Sequence, residues 1–189
     1  DGRRLFALFS SNDLFCLDLD GNLIWLRGLT LDYPNASNSL GLASSLALAG
    51  GTLIAQIEND SESFTVGLDT SFGKNRWKIS RPKSANWTSP QVFRTVDGEI
   101  ALLQSSRGVS AVDPVSGREL WAFEACASTI PSSALSGNVL FVPSKGITAL
   151  EISGNGSSYT QKWNVSRLRP GTASPLVLDG KLYIVNGAG

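Results

Sequence analysis

Residues 111–121, AVDPVSGRELW, carry the pattern on which the prediction of the fold depends. In this stretch an acidic residue is followed by a glycine and then by a tryptophan. The order of acidic residue and tryptophan recurs along the chain, with 52, 44 and 42 residues between successive tryptophans. The four pairs are Asp18 and Trp25, Asp69 and Trp77, Asp113 and Trp121, and Glu151 and Trp163. A period of this length indicates a repeat fold.

Two further markers keep the same period. A glycine turn followed by an apolar run occurs at Gly2, Gly51, Gly98, Gly137 and Gly180. Small residues precede the strand before that turn, in segments that begin at Ser45, Ser89, Pro131 and Ser174. The remaining apolar runs are short and bounded by Gly, Asn, Asp and Ser, without a sustained helical period. The sequence therefore predicts an all-β protein.

Each repeat divides into four short strands, A to D, as in the blades of a β-propeller. We predict a single domain over residues 1–189 that forms a partial ring of about four blades. Its predicted parts are a partial blade at 1–30, blades at about 40–82, 86–126 and 130–167, and a partial blade at 172–189. The first blade lacks strand A and the last stops after strand B, so 17 strands are expected.

Residues 111–121 resemble the repeat of the pyrroloquinoline-quinone (PQQ) enzymes, A-x-D-x-x-T-G-x-x-x-W. The matching positions are Ala111, Asp113, Gly117 and Trp121, and Ser116 replaces the threonine. The preceding copy has Gly67 in place of the alanine and Phe72 in place of the threonine. The resemblance covers nearly the whole chain. It implies a PQQ-like propeller of the quinoprotein alcohol dehydrogenase-like superfamily, with tryptophans that dock on neighbouring blades.

The chain is also similar to the bacterial non-catalytic proteins that resemble the outer-membrane assembly lipoprotein BamB, planctomycete members included. This similarity implies a binding or protein-interaction scaffold in the periplasm, on the cell surface or secreted. One alternative is part of a PQQ-dependent dehydrogenase whose cofactor site lies in missing blades. Another is a repeat domain within a larger sensor or assembly protein.

A dehydrogenase of this family is expected to show adjacent cysteines over the cofactor, a tryptophan platform, and carboxylate or amide ligands for calcium. The sequence has no adjacent cysteines and no acidic cluster of that kind. It also has no histidine, which excludes histidine general bases, Ser-His-Asp triads and histidine-ligated zinc from this chain. We therefore predict no catalytic residue, no cofactor and no metal site.

Composition restricts the partners. The chain has 16 basic and 16 acidic side chains, and this balance argues against nucleic acid or an anionic membrane surface. No apolar run approaches the length of about 18 residues needed to cross a bilayer, so no transmembrane segment is predicted. The chain starts at Asp1 without an initiator methionine, which we interpret as a sign that the true N-terminus has been removed.

The D-to-A and B-to-C connections lie on one face of a propeller, where loops on a rigid scaffold often bind partners. Aromatic and guanidinium side chains in these connections are candidates for contacting a protein, peptide or glycan. They are Tyr33, Trp87, Arg81, Arg167 and Arg169. The alternative is that Tyr33 and Trp87 only fill gaps between blades.

Other polar groups are expected to be structural. The acidic run of Glu58, Asp60 and Glu62 is interpreted as a solvated hairpin tip rather than a metal site, and the segment DLDGN from Asp18 as a turn rather than a calcium loop. Two lone cysteines are expected to be buried and free, with a disulfide as the alternative: Cys16 and Cys126. Asn-x-Ser/Thr sequons, which accept glycans in eukaryotic secretory proteins, occur at Asn35, Asn59, Asn86, Asn155 and Asn164.

Overall fold

The structure is a computed structural model that describes residues 1–36 and 41–187. It contains seventeen β-strands and one short helix, α1 (Leu29–Asp32). Sheet 1 has β1 (Arg4–Leu8), β2 (Asp13–Asp18) and β3 (Leu23–Gly28). Sheet 2 has β4 (Ala47–Ala49), β5 (Thr52–Ile57), β6 (Phe64–Asp69) and β7 (Asn75–Ser80). The predictions of an all-β protein and of 17 strands are confirmed.

The remaining strands form three more sheets. Sheet 3 has β8 (Gln91–Thr95), β9 (Gly98–Ser105), β10 (Gly108–Val112) and β11 (Glu119–Glu124). Sheet 4 has β12 (Ala134–Ser136), β13 (Val139–Ser144), β14 (Gly146–Ile152) and β15 (Tyr159–Val165). Sheet 5 has β16 (Leu176–Leu178) and β17 (Lys181–Tyr183).

Every sheet is an antiparallel meander in which strand order follows chain order. The inner strands β4, β8, β12 and β16 lie next to one another in that order, so the sheets are arranged around a common centre. This is a partial β-propeller of about four blades. The connections D-to-A and B-to-C lie on one side, which we call the loop face, and the A-to-B and C-to-D turns lie on the other, which we call the turn face.

Apolar side chains fill the spaces between successive sheets. Sheets 1 and 2 enclose a core that includes Leu14, Leu53 and Val66, and sheets 3 and 4 enclose one that includes Leu102, Leu140 and Leu150. These residues alternate along their strands with residues that face the other neighbouring sheet, because successive side chains of a strand point to opposite faces. A single sheet exposes both faces, so the stacking of sheets provides the burial that stabilises each one.

Tryptophans of the repeat reach from one sheet to the next on the turn face. Their Nε1 atoms donate to main-chain carbonyls, from Trp25 to Thr70 at 3.1 Å, Trp77 to Pro114 at 2.8 Å and Trp121 to Gly156 at 2.9 Å. A buried indole N–H needs such an acceptor. Trp163 differs: it is 39% exposed, and none of the described residues accepts a hydrogen bond from its indole.

Glycines make room for the indole of Trp77. Gly117, in the C-to-D turn of sheet 3, has a φ of +74°, and a Cβ at this position would lie 2.7 Å from the indole. Gly67, the cross-strand partner of Trp77, would place a Cβ 2.1 Å from Cε2. The replacement of alanine by glycine at position 67 therefore fits an indole that lies unusually close to strand β6.

Serines that precede the inner strands connect the sheets on the loop face. The amide of Ser45 donates to Oγ of Ser89, the amide of Ser89 to Oγ of Ser132, and the amide of Ser132 to Oγ of Ser174, at 2.9 to 3.0 Å. Each bond joins one sheet to the next. The small residues before strand A, which the sequence showed only as a periodic marker, thus link neighbouring repeats.

The aspartates of the repeat close the C-to-D turns. Oδ1 of Asp113 accepts hydrogen bonds from the amides of Val115 and Ser116 and from the Ser116 hydroxyl. Asp18 and Asp69 accept amide hydrogen bonds in the corresponding turns. The predicted turn role of the segment from Asp18 is confirmed, because that carboxylate bonds to its own turn.

These hydrogen bonds lower the pKa of all three carboxyls below the ordinary value of 3.8. The main cause is a side-chain donor, which is Asn22 for Asp18, Arg76 for Asp69 and Ser116 for Asp113. A folded-state pKa below the unfolded value means that the stabilisation is complete above the unfolded pKa and is lost as pH falls through the folded pKa.

We therefore expect that acidification below about pH 4 destabilises the protein, partly through these turns. The measurement compares urea midpoints at several pH values for the wild type and for Asp113→Asn. Asparagine keeps an acceptor oxygen but does not titrate, and Asn155 accepts comparable hydrogen bonds in sheet 4. The variant should lose part of the acid dependence, and an unchanged pH profile would contradict the role assigned to Asp113.

Candidate functional site

An open groove lies on the loop face between sheets 2 and 3, with a volume of about 730 Å³. One wall is formed by residues 80–83, where β7 ends and the connection to β8 begins. The other wall is formed by residues 105–110, Glu119 and residues 122–124 of sheet 3. We call this space the interblade groove.

The rim of the interblade groove carries charges of both signs. Lys83 and Arg107 are exposed on it, as are Glu119 and Glu124. The walls add hydroxyl groups, which belong to Ser80, Ser105, Ser106 and Ser110. A groove with both charge signs and many hydrogen-bonding groups matches a polypeptide surface better than a uniformly charged ligand.

Arg81 lies at the bottom of the groove, and its side chain is only 6% exposed. Its Nε lies 2.6 Å from Oε1 of Glu58, and its Nη2 donates to the carbonyl of Leu103 at 3.0 Å. Nη1 approaches Oγ of Ser110 at 3.3 Å. Arg81 therefore connects sheet 2 to sheet 3 below the groove. The expectation that Arg81 is a loop-face contact residue is corrected, because its guanidinium is committed to a buried ion pair.

Glu58 is 2% exposed and accepts hydrogen bonds from three side chains. These donors are Arg81 at 2.6 Å, Asn86 at 3.0 Å and Gln56 at 3.2 Å. Burial raises the pKa of Glu58 above its ordinary value, while Arg81 and the hydrogen bonds act in the opposite direction. The interpretation of Glu58 as part of a solvated hairpin tip is wrong, since its carboxylate bonds to the connection between β7 and β8.

Gln104 holds the equivalent place in sheet 3. Glu58 and Gln104 each lie six residues after the first residue of strand B, Thr52 and Gly98 respectively. Nε2 of Gln104 donates to the carbonyls of Ser128 and Pro131, and its Oε1 accepts from the amide of Ser133. The end of strand B therefore fixes the following D-to-A connection in both sheets, through a carboxylate in one and an amide in the other.

The junction between sheets 2 and 3 is polar on its loop side. Among the described residues, three buried side-chain oxygens have no hydrogen-bond partner: Gln56 Oε1, Ser63 Oγ and Thr65 Oγ1. Gln56 and Thr65 are cross-strand neighbours on the face that meets sheet 3. The turn side of the same junction is apolar and contains Ile54, Trp77 and Val112. The groove thus lies above a polar layer, and that layer lies above an apolar one.

A second cleft lies between sheets 3 and 4 on the same face, with a volume of about 620 Å³. Lys145 and Arg169 line it and are both exposed. Arg167 is exposed as well but does not line this cleft. Of the five loop-face candidates, only Arg81 and Arg169 line one of these two clefts.

Tyr33 and Trp87 pack within the structure. The Tyr33 ring lies 4.6 Å from that of Phe64, its hydroxyl accepts from Asn75 at 2.7 Å, and Nζ of Lys78 lies 3.8 Å above its centre. Trp87 donates its indole N–H to the carbonyl of Gly41 at 3.1 Å. Residues 37–40 of this connection lie outside the described residues. These contacts favour the alternative in which both aromatic rings fill gaps between sheets.

The other two acidic residues of the B-to-C loop have local partners. Asp60 accepts from the amide of Ala85 at 3.0 Å, and Glu62 forms an ion pair with Lys78 at 2.8 Å. Within residues 1–36 and 41–187, no group of three or more Cys, Asp or Glu side chains is placed to hold a metal ion. Two of the sequon asparagines are buried and use their amide hydrogens internally, namely Asn59 and Asn86.

The cysteines differ in environment. Cys16 is buried in sheet 1, where burial raises the pKa of its thiol. Cys126 is exposed at the second cleft, so the expectation that it is buried is wrong. Both thiols are free, and the disulfide alternative is not supported.

Comparison with known proteins assigns the family. A sequence profile described as outer membrane protein assembly factor BamB matches residues 1–124. The chain belongs to the BamB family. The predicted relationship to PQQ-like repeats is thereby confirmed. No curated protein matches the chain significantly.

Solved structures show the same fold. BamB from Moraxella catarrhalis is 13% identical, with a TM-score of 0.66, over 96% of this chain and 54% of that chain. Quinohemoprotein alcohol dehydrogenase from Comamonas testosteroni is also 13% identical, with a TM-score of 0.64, over 96% of this chain and 37% of that chain. This BamB-family chain thus spans about half of the first neighbour and little more than a third of the second. No helix among its described residues is long and apolar enough to cross a membrane.

Proposed function

We propose that this chain is a non-catalytic propeller scaffold that binds another protein on its loop face, at the interblade groove. The observation that carries the proposal is an open groove with an exposed rim of both charges above a floor fixed by the Arg81–Glu58 ion pair. A rigid floor lowers the entropy lost when a partner binds. Lys83, Arg107 and Glu124 are free to meet charges of the opposite sign on the partner.

The repeat supports this role by holding the sheets in a fixed arrangement. We propose that the indole contacts of Trp25, Trp77 and Trp121 are the tryptophan docking of PQQ-like blades, with blade boundaries close to those predicted from the sequence. Binding of this kind requires no reacting group. Binding requires only a fixed distance between the two groove walls, which belong to different sheets.

The family description names an outer membrane protein assembly factor, and from it we propose a protein partner and a location outside the cytoplasm. Peptide or glycan ligands on the loop face are less favoured, because the groove offers charged side chains but few exposed aromatic rings for stacking on a sugar. The neutral net charge of the chain suits a protein partner recognised by local charge pairs.

Site-specific photocrosslinking tests this proposal. We expect that a photoreactive amino acid at Arg107 gives a defined protein adduct in a cell-envelope extract, and that Lys83→Glu reduces its yield about tenfold by repelling an acidic partner residue. The matched control places the photoreactive residue at Val115, which is 56% exposed on the turn face. Equal adducts from positions 107 and 115, or a yield unaffected by Lys83→Glu, would contradict binding at the groove.

A quinoprotein dehydrogenase is the second candidate, because the chain shares its fold with the quinohemoprotein alcohol dehydrogenase. The residues present do not fit a PQQ site, since Cys16 lies in sheet 1 and Cys126 in the connection between β11 and β12, so they cannot form the adjacent pair that the family resemblance implies. Titration of the chain with PQQ and Ca²⁺, monitored by indole fluorescence and by dye reduction, distinguishes a dehydrogenase from a non-catalytic scaffold. Saturable quenching together with dye reduction would replace the scaffold proposal.

A further inference from the structure

The interblade groove has a neighbouring space on each side along the loop face. One of them, of about 360 Å³, lies beside sheet 2, between Asn35 and residues 61–63 of the B-to-C loop. It shares Ser80, Arg81 and Lys83 with the interblade groove. The two spaces therefore adjoin at the end of β7.

The other neighbouring space, of about 450 Å³, lies between sheets 3 and 4. It shares Phe123 and Glu124 with the interblade groove, and it shares Cys126, Ser144 and Lys145 with the second cleft. Four open spaces thus follow one another across sheets 2, 3 and 4, and we call this row the loop-face track. Each of these sheets has four strands and a described sheet on both sides, so the track lies at internal junctions of the ring.

The B-to-C loops of sheets 3 and 4 present a basic side chain to the track in the same way. Arg107 and Lys145 each directly precede a glycine of positive φ, which is Gly108 at +131° or Gly146 at +102°. At both glycines a Cβ would collide with a main-chain carbonyl of the outer strand, so only glycine fits there. The two loops are therefore held close to their outer strands, and both basic side chains are exposed beside the track.

Exposed charges of both signs follow one another along the track. In the order of the spaces they are Lys83, Arg107, Glu124 and Lys145. Within the part of the chain that the structure describes, none of these four side chains forms an ion pair. Exposed charges without partners are available to opposite charges on a binding partner, and their order specifies how that partner lies.

We infer that the loop-face track binds one extended segment of the partner protein, in which a basic residue that meets Glu124 lies between acidic residues that meet Arg107 and Lys145. This inference rests on the proposed function, since it requires a protein partner at the interblade groove. An extended chain rises about 3.3 Å per residue and packed sheets lie about 10 Å apart, so a segment passes from one groove to the next in about three residues. Serine hydroxyls along the track are suited to the main-chain amides and carbonyls of such a segment. They belong to Ser61, Ser80, Ser106 and Ser144.

Photocrosslinking from successive spaces tests whether one segment crosses them. A photoreactive amino acid replaces Ser61, Ser106 or Ser144, which line three different spaces and leave the four charges in place. We expect each position to trap the same protein that position 107 traps. Mass spectrometry of the adducts should place the attachment sites in one stretch of the partner, in the order 61, 106 and 144 or its reverse. Successive sites should lie about three to six residues apart.

A charge reversal in one space should affect crosslinking in the next. Lys145→Glu is expected to lower the adduct yield from position 106 about tenfold, because a segment held in both spaces loses one of its two attachments. The matched control is Lys74→Glu, the same change at an exposed lysine in the C-to-D turn of sheet 2, on the turn face. This control should leave the yield unchanged.

Two results would overturn the extended segment while leaving binding at the interblade groove intact. One is a set of attachment sites spread over separate parts of the partner sequence. The other is a yield from position 106 that Lys145→Glu does not change. The absence of a defined adduct from position 107 is a different result, because it would remove the proposed function and the extended segment together.

Discussion

Trp77→Ala is expected to lower the free energy of unfolding by about 3 to 5 kcal/mol. Trp77 is 8% exposed, and its indole lies between Gly67 of its own sheet and Gly117 of the next. Removing it opens a cavity at the junction of sheets 2 and 3 and leaves the carbonyl of Pro114 without its donor at 2.8 Å. Urea denaturation followed by far-UV circular dichroism measures the loss, since fluorescence would change with the number of indoles.

Two further variants separate the contributions to this loss. Trp77→Phe keeps much of the apolar contact but removes the N–H donor, so we expect an intermediate effect of about 2 kcal/mol. Phe72→Ala removes an aromatic side chain that is 74% exposed in a neighbouring turn, and it should change stability by less than about 0.5 kcal/mol. A loss below about 1 kcal/mol for Trp77→Ala would show that the indole does not join the sheets.

The repeat was predictable because its markers report local backbone requirements. Asp113 bonds to its own turn, Gly117 has a positive φ, and Trp121 reaches the next sheet, and the same requirements recur in sheets 1 and 2. Because each requirement restricts the residue type at one position, it produces a periodic pattern in the sequence. The meander of four strands also follows from short apolar runs and tight turns, since neighbouring strands of a meander pair with each other.

The floor of the interblade groove was not predictable in the same way. Glu58 follows an apolar strand in a run with Asp60 and Glu62, and such a run is usually solvated. Its burial depends on Arg81, 23 residues later, and on Asn86 from the same connection. Only the folding of that connection over the end of β5 brings these groups together. The equivalence of Glu58 and Gln104 becomes visible only from the strand starts at Thr52 and Gly98.

The exposure of Trp163 follows from the predicted strand count rather than from the repeat pattern, because the last blade was expected to stop after strand B. Trp163 shares the repeat position of Trp77, yet one indole is 39% exposed and the other 8%. The difference arises because Trp77 has a following sheet with a C-to-D turn, whereas the described part of sheet 5 contains only β16 and β17. The repeat pattern predicts which residue contacts the next sheet, but the indole is buried only where that next sheet has a C-to-D turn.

Glu58→Ala is expected to cost about 3 to 5 kcal/mol of folding free energy, because it leaves the Arg81 guanidinium buried without a counter-charge. The loss includes the bonds that Glu58 accepts from Asn86 and Gln56, which fix the connection after β7. Urea denaturation at pH 7 measures the change. The control is Glu62→Ala, which breaks an ion pair whose side chains are about a third exposed and should cost less than about 1 kcal/mol.

Glu58→Gln distinguishes the charge from the hydrogen bonds. Glutamine at position 58 keeps one oxygen to accept from Arg81, but its Nε2 faces the Asn86 amide, which is also a donor, so we expect a loss of about 1 to 3 kcal/mol at pH 7. Burial raises the folded-state pKa of Glu58 above its ordinary value of 4.5. The folding stability that comes from this raised pKa is fully present below the pKa of the unfolded state. It is lost as pH rises through the pKa of the folded state. The stability difference between wild type and Glu58→Gln should therefore be smaller at pH 7 than at pH 4, and a difference that grows with pH would contradict the raised pKa.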